Sequence, residues 1–377
     1  MTRVLHLSVV HRPDDPRIHE RECRTLAQAG YEVMYLAPGA ERGRDAGGVL
    51  RAPLPVRGRS TRFLSSVEII KALRALRPDV LHVHDPELLT LFPAAKALVP
   101  RLVYDMHEYV PEAVASKPYI PAKTRPMASR TTALAQRGLA ALGSGVVVVA
   151  HDQLAALGST PKLRLVSPNY PRVERFEGAT PVPGLAADPR LKLIYIGSLS
   201  RARGCSVMLD VMEQLGPDEA VLYLGGTFND PALESEVVAR LAAGLDDRVK
   251  LLGRIAPAEL PGHLAAADVV WVPSIPTRQY SHPGAATKLF EGMAMRLAAL
   301  VSDLPGRGEL VRLEECGLAV EPGVEGHLRG LRHMLANPSS LPEMGARGRR
   351  AVERRYSWEA VQDDLVDFYG SLCAGLT

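Results

Sequence analysis

The sequence predicts an α/β protein built as two Rossmann-like, parallel-sheet domains facing a central cleft. Three observations carry this prediction. The chain has 377 residues, too many for one ordinary core and enough for two. Short apolar runs alternate with helical repeats, and the alternation occurs twice. Between the two series lies a proline-rich interval with little periodicity.

The first series covers residues 1–172. Residues 3–10 read as a buried strand, 17–29 as a helix stopped by Gly30, and 32–37 as the next strand. Residues 65–76 repeat Val67, Ile70, Leu73 and Leu76 at helical spacing before Pro78. Strands follow at 80–83, 102–104, 146–149 and 163–166, with helices over 87–98 and about 123–142. Pro168, Pro171, Pro181, Pro183 and Pro189 then mark a linker. The second series covers 190–357. It predicts strands at 193–196, 220–224, 249–252, 269–272 and 297–301, and helices at 205–215, 232–244, 257–266 and 287–295. Helices fill most of 324–375. In such sheets ligands bind beyond the carboxyl ends of the strands, so both sets of loops are expected at one cleft.

Composition sets the outer bounds. Hydrophobic residues are 46% and charged residues 23%, so the chain can bury real cores. No apolar run approaches the roughly 18 residues of a membrane-spanning helix, and the first apolar run lacks a leader's cleavage site. Cys23, Cys205, Cys316 and Cys373 show no paired spacing, which predicts free thiols and a cytoplasmic protein. The net charge of +3 is uneven: residues 1–178 hold 25 Lys+Arg against 17 Asp+Glu, an excess of eight. An anionic partner for the first half is one reading, and peripheral membrane contact through Arg57, Arg59 and Arg62, or Arg125 and Arg130, is its form. A merely solvated surface is the other. No basic stripe with interleaved aromatics predicts a nucleic-acid partner. Oligomeric state is left open.

Several chemistries are disfavoured by missing motifs. The loop after the first strand, His11-Arg12-Pro13-Asp14-Asp15-Pro16-Arg17, has no glycine, so the dinucleotide fingerprint is absent. No Gly-Lys dipeptide exists for a P-loop, and no Asp-x-Asp for a metal-bridged diphosphate. No Cys/His spacing suggests a metal. The expectation is no cofactor and no metal.

Three constellations remain. Gly197-Ser198-Leu199-Ser200-Arg201-Ala202-Arg203-Gly204 sits between a strand and a helix. Its turn offers backbone N–H groups, and Arg201 and Arg203 offer charge, to a diphosphate. Simple solvated arginines are the rival reading. Thr287-Lys288-Leu289-Phe290-Glu291-Gly292-Met293 opens a helix after the loop Ser281-His282-Pro283-Gly284. Glu291 in that apolar helix suits a pair of sugar hydroxyls, or else an internal salt bridge. Tyr104-Asp105-Met106-His107-Glu108 ends a strand, where His107 could face a substrate or only cap and pack.

Taken in order, these segments resemble a bacterial family 4 glycosyltransferase, a retaining enzyme of the GT-B fold, over essentially the whole chain. The resemblance runs through Asp14-Asp15-Pro16-Arg17-Ile18, Glu22-Cys23-Arg24-Thr25-Leu26, His84-Asp85-Pro86-Glu87-Leu88-Leu89, Tyr104-Asp105-Met106-His107-Glu108, Lys288-Leu289-Phe290-Glu291-Gly292-Met293 and Tyr356-Ser357-Trp358-Glu359. It implies a nucleotide-sugar donor, with UDP the expected nucleotide, and a hydroxyl acceptor. His107, Arg203 and Lys288 are implied as catalytic. The donor side takes Gly197, Arg201, Arg203, Gly253, Arg254, Ile255, Gly284, Ala285, Ala286, Thr287, Lys288 and Glu291. The acceptor side takes Arg17, Asp85 and Glu108. The terminal helix, 358–377, is implied to cross back to the first domain.

The chain departs from the family at several points. Pro283 stands where the first glutamate of a pair eight residues apart is expected, so backbone groups of Gly284, Ala285 and Ala286 would substitute. Arg296 and Ala298 replace a small residue and a proline, and the glycine-rich acceptor loop is missing. The reaction implied is metal-independent glycosyl transfer with retention, onto a glycan, lipid-linked or small-molecule acceptor. A nucleotide-sugar 2-epimerase and an inactive nucleotide-binding relative are the alternatives.

Overall fold

A computed structural model describes residues 1–55, 65–107, 121, 123–277 and 287–376. The chain forms two compact units. Unit 1 is Met1–Asn169 together with Val361–Thr377, and unit 2 is Tyr170–Ala360.

Unit 1 holds a sheet in the order β3-β4-β2-β1-β5-β6-β7-β8. The strands are β1 (Arg3–Leu7), β2 (Glu32–Pro38), β3 (Gly43–Arg44), β4 (Leu50–Leu54), β5 (Val80–Val83), β6 (Arg101–Met106), β7 (Gly145–Val148) and β8 (Leu163–Val166). All neighbours are parallel except β3 and β4. Side chains alternate across a strand. Leu5, Leu7, Leu81, Val83, Leu102, Tyr104 and Met106 therefore enter one apolar core. The intervening positions, His6, His82 and Asp105, share the opposite face, and they too are buried. That second face is where unit 1 departs from an ordinary parallel sheet, whose strands are apolar on both sides.

Unit 2 holds a parallel sheet in the order β11-β10-β9-β12-β13-β14. Its strands are β9 (Leu191–Ile196), β10 (Ala220–Gly225), β11 (Val249–Gly253), β12 (Val269–Val272), β13 (Ala298–Ser302) and β14 (Gly317–Val320). Leu193, Tyr195 and Trp271 pack into one core, while Ile194, Val270 and Val272 pack into the other, so both faces are covered. The buried Trp271 indole donates to His327 Nδ1 at 3.0 Å. An indole N–H only donates, so His327 keeps its proton on Nε2, 2.9 Å from Ser302 Oγ.

The proline-rich segment, read as a linker, is packed into unit 2. Val173 and Phe176 are buried in its core, Val182 N–H donates to Gly262 O at 3.1 Å, and Tyr223 Oη–H donates to Leu185 O at 2.9 Å. The prolines set extended backbone between short helices (Val173–Phe176, Pro183–Ala186), and apolar side chains do the anchoring.

The helix Trp358–Cys373 starts in unit 2, where Trp358 N–H donates to Pro171 O at 2.8 Å. Its later turns belong to unit 1. There Tyr369 Oη lies 2.7 Å from His82 Nδ1, and Leu372 O accepts from Arg101 Nε–H at 2.8 Å.

Candidate active site

In unit 2 the strand order reverses between β9 and β12, which makes the carboxyl ends of those strands the expected ligand site. The turn from Gly197 to Gly204 lies there, with a short 3-10 helix at Arg201–Arg203 and the helix Cys205–Gln214 after it. Gly204 has φ +82°, and a Cβ there would collide with the Pro273 carbonyl at the end of β12. Gly226 (φ +138°) likewise admits the Gly197 carbonyl. Only glycine allows both approaches.

Lys288, in the helix Thr287–Ala294, reaches into this turn. Its Nζ lies 4.6 Å from the Tyr195 ring centre, a cation–π distance. Its Cε and Nζ come within 3.1 and 3.3 Å of where a Gly197 Cβ would stand. Burial, and then the positive charge of Arg203, bring its pKa down to about 7, with Arg307 acting in the same direction and Glu291 against it. Arg203, Glu291 and Arg307 therefore all act on Lys288, in the region the sequence assigned to a diphosphate. Arg307 was missed. It opens the helix Arg307–Leu313 after β13 and is 3% exposed. The signal that could have found it is Ser302-Asp303-Leu304-Pro305-Gly306-Arg307-Gly308, a second strand-end turn bounded by glycine.

The other donor-side residues are placed differently. Arg201 turns to the surface, where its side chain is 54% exposed and its Nη2 is 2.6 Å from Glu236 Oε2. Gly253 (φ +65°) ends β11, Arg254 is exposed, and Ile255 is half-buried with its Cδ1 beside Gly225. Thr287 and Glu291 lie half-buried on their helix. Gly284, Ala285, Ala286 and Pro283 lie outside the described residues.

In unit 1 three adjacent strands, β1, β5 and β6, bring the family-like motifs together. The register pairs His6 with His82, and the strand ends carry His84, Asp105 and His107 on the same side. Over them lies the helix Pro16–Cys23, whose first turn is capped by Asp15. Arg17 grips Asp105 with two bonds of 2.9 Å, Nε–H to Oδ2 and Nη2–H to Oδ1. Its Nη1–H donates to Ser167 O at 2.7 Å and Asn169 Oδ1 at 3.0 Å. Asp105 Oδ2 is 2.7 Å from His107 Nε2 and 3.3 Å from His84 Nδ1. His84 Nε2 is 2.9 Å from His6 Nδ1.

Electrostatics sort these groups. Burial would raise the Asp105 carboxyl, but Arg17 and then His107 hold it well below its usual range. Glu22 is the converse: burial and the neighbouring Asp105 charge push it well above, 3.2 Å from the same Arg17. One cation serves two carboxylates, and of the two it is Glu22 that is pushed toward its protonated form and Asp105 toward its ionised form. Burial keeps His6, His82 and His84 neutral, His84 with a pKa of about 4.

His6, Glu22, His82 and His84 offer donor atoms close enough to suggest a metal. The arrangement does not fit one well. Their three rings stack with interplanar angles of 16–38°, instead of radiating about a common point, and two of the nitrogens already share a hydrogen bond.

Of the acceptor-side residues, Arg17 is 4% exposed and committed to Asp105, so it supports the network and has no surface to offer a substrate. Asp85 is also buried. Its Oδ2 accepts from Ser8 Oγ–H at 2.9 Å and Val9 N–H at 2.6 Å, fastening the segment after β1 to the end of β5. Glu108 lies outside the described residues. A residue not singled out, His11, stands edge-on to His107 with ring centres 5.0 Å apart. Burial opposes its charge, but a 2.9 Å bond to Asp15 raises its pKa overall.

Two α/β units of this kind, each built on a largely parallel sheet, are the architecture of the GT-B class. Sucrose-phosphate synthase from Thermosynechococcus elongatus has the same fold, with a TM-score of 0.77 at 19% identity over 99% of this chain and 100% of that one. Anabaena HepE in complex with UDP-glucose gives 0.76 at 15% identity over 98% and 100%. Residues 20–168 match Glycosyltransferase Family 4, and residues 190–337 match Glycosyl transferases group 1. The chain belongs to the family 4 glycosyltransferases. It is 30% identical over 225 residues to a phosphatidyl-myo-inositol mannosyltransferase of Mycobacterium leprae, a match covering 58% of this chain and 55% of that protein. It is 24% identical over 351 residues to an alpha-maltose-1-phosphate synthase of Mycobacterium tuberculosis, covering 85% and 87%.

Proposed function

We propose that this chain moves a glycosyl group from a nucleotide sugar to a hydroxyl acceptor, with retention at the anomeric carbon and without a metal ion. The observation that carries the reading is Lys288 set against Gly197 of the strand-end turn, with the charges of Arg203 and Arg307 both acting on it. The leaving nucleoside diphosphate gains negative charge as the bond to the anomeric carbon breaks. Fixed cations and turn N–H groups stabilise that charge without reorganising, which is the largest catalytic contribution expected. The acceptor oxygen attacks from the same face and its proton passes to the departing phosphate. Glu291 holds the ribose hydroxyls, and His107 of unit 1 meets the transferring sugar.

UDP is the nucleotide we favour, since the HepE complexes contain UDP and UDP-glucose. A Corynebacterium glutamicum relative is GDP-mannose-dependent by name, so guanine is the competitor. A thermal-shift panel of nucleoside diphosphates separates them. A ligand at about 100 times its dissociation constant adds roughly 2.7 kcal/mol of stability. Stabilisation by UDP with activity unaffected by a chelator supports the reading, and activity lost in chelator and restored by metal refutes its metal-free part.

The acceptor reading comes from unit 1. The helix Arg125–Ala140 exposes Met127 and Leu134 beside Arg130, a combination suited to an anionic lipid surface. We take a lipid-linked or envelope glycan acceptor, met at the membrane face, as the version to test first.

A further inference from the structure

We infer that Asp105 is the positioning residue of the site: clamped by Arg17, it fixes His107 in the tautomer with its proton on Nε2 and so presents Nδ1 to the transferring sugar. This rests on the reading of His107 as the unit 1 residue that meets the sugar.

The argument is one of donors and acceptors. An ionised carboxylate can only accept. Oδ2 of Asp105 faces His107 Nε2 at 2.7 Å, His84 Nδ1 at 3.3 Å and Arg17 Nε at 2.9 Å. His107 Nε2 and His84 Nδ1 are themselves only 3.2 Å apart. Both nitrogens meet the same acceptor, so both carry protons. A neutral imidazole has one proton, so His84 Nε2 is left as an acceptor and takes the His6 Nδ1 proton across 2.9 Å. The ionised state of Asp105 thus determines three histidine tautomers in sequence. Nδ1 of His107 has no hydrogen-bond partner among the described residues, and the ring is 13% exposed where Asp105 is fully buried.

Arg17 supplies what makes this rigid. Its guanidinium is planar and holds the carboxylate at two points, while Ser167 and Asn169 hold its third nitrogen. A carboxylate behind a histidine sets its tautomer in many catalytic sites, and an amide in its place can reverse it. Asp105→Asn keeps the shape of the side chain and offers an N–H where an acceptor is needed.

The test is a two-bond 1H–15N correlation spectrum of the full chain labelled at histidine, at pH 7.5, with His107 assigned by its absence in His107→Gln. The expected spectrum has the protonated-nitrogen shift at Nε2 and the bare-nitrogen shift at Nδ1. A native chain with the His107 proton on Nδ1, or averaging between tautomers, overturns the inference whatever the activity. In Asp105→Asn the tautomer should shift and turnover should fall by about 100-fold or more, with UDP affinity within twofold of the parent. A stable Asp105→Asn that keeps both tautomer and turnover overturns it as well. Should that variant not fold, the native spectrum alone decides. His107→Gln separates this inference from the functional reading: parent-rate turnover in that variant refutes the role of His107, whereas the spectrum reports on Asp105 alone.

Discussion

The ammonium of Lys288 stands 4.6 Å from the centre of the Tyr195 ring, held over an aromatic face at the mouth of a glycine turn. This cation is partly desolvated before any anion arrives, and its pKa is about 7 for that reason and because Arg203 repels it. A bound diphosphate favours the charged form. Nucleotide binding at pH 8 should therefore take up close to one proton, and at pH 6 almost none. Calorimetry of UDP binding in buffers of different ionisation enthalpy measures this. Lys288→Arg, which stays charged, should abolish the uptake, and Lys288→Ala should weaken binding by about 1.5–3 kcal/mol. Equal uptake in parent and Lys288→Arg would show the proton goes elsewhere.

Arg203 and Arg201 are two residues apart but face different surroundings. Arg203 acts on Lys288, whereas Arg201 pairs with Glu236 at the surface. Arg203→Ala should reduce UDP affinity and turnover at least tenfold. Arg201→Ala should change either by less than threefold, as an exposed pair is worth about 0–1 kcal/mol. Titration of both variants with UDP checks the contrast.

Gly204→Ala places a methyl group against the Pro273 carbonyl at a φ of +82°. The turn must shift, so melting temperature should drop and UDP binding should fall with it. Gly178→Ala is the control: φ is +63°, with nothing within 4 Å of its Cβ. It should lose about 1 kcal/mol from backbone strain alone and bind UDP normally. Similar UDP affinities in the two variants would remove the case for the turn.

Both units should weaken in mild acid. His84 and His327 titrate near pH 4 in the fold, mainly from burial, against an ordinary value of 6.5. A base depressed in this way gains its proton first in the unfolded chain. Stability is therefore complete above about pH 6.5 and declines as the pH falls toward 4, by about 3 kcal/mol for each group. His6 and His82 shift in the same direction. Urea unfolding at pH 7.5, 5.5 and 4.5 reads the slope. His327→Gln should flatten it for unit 2, and an unchanged slope would mean other groups govern acid unfolding.

Much of this architecture was legible in the sequence. The strands at Val80–Val83, Leu163–Val166 and Val269–Val272 and the helix Ser65–Leu76 match the periodicity to the residue. The strand at Leu50–Leu54 was not seen, because Pro53 reads as a breaker and Arg51 interrupts the apolar run. The strand at Gly317–Val320 was also missed: four half-buried residues at a sheet edge leave little pattern. The helix and strand of the donor turn led the sequence reading to assign Arg203 and Lys288 to one site, and in the fold the charge of Arg203 acts on Lys288. Arg17 was placed on the acceptor side because its partner lies 88 residues away and local spacing cannot reveal it. Arg307 escaped notice for a similar reason, since a lone arginine in a turn looks solvated until its burial is known.

Unit 1 needs Val361–Thr377 to be whole, while unit 2 is one uninterrupted stretch. On the ribosome, then, the second unit can close first, and the first must wait, with the imidazole of His82 lacking its Tyr369 partner and Gly145 its Phe368 cover. Residues 1–169 spend the whole synthesis of unit 2 with all their strands made but without the helix that covers part of the sheet. A stop codon near residue 360 would therefore strike the far end of the chain's own beginning, leaving unit 2 sound and unit 1 open to proteases.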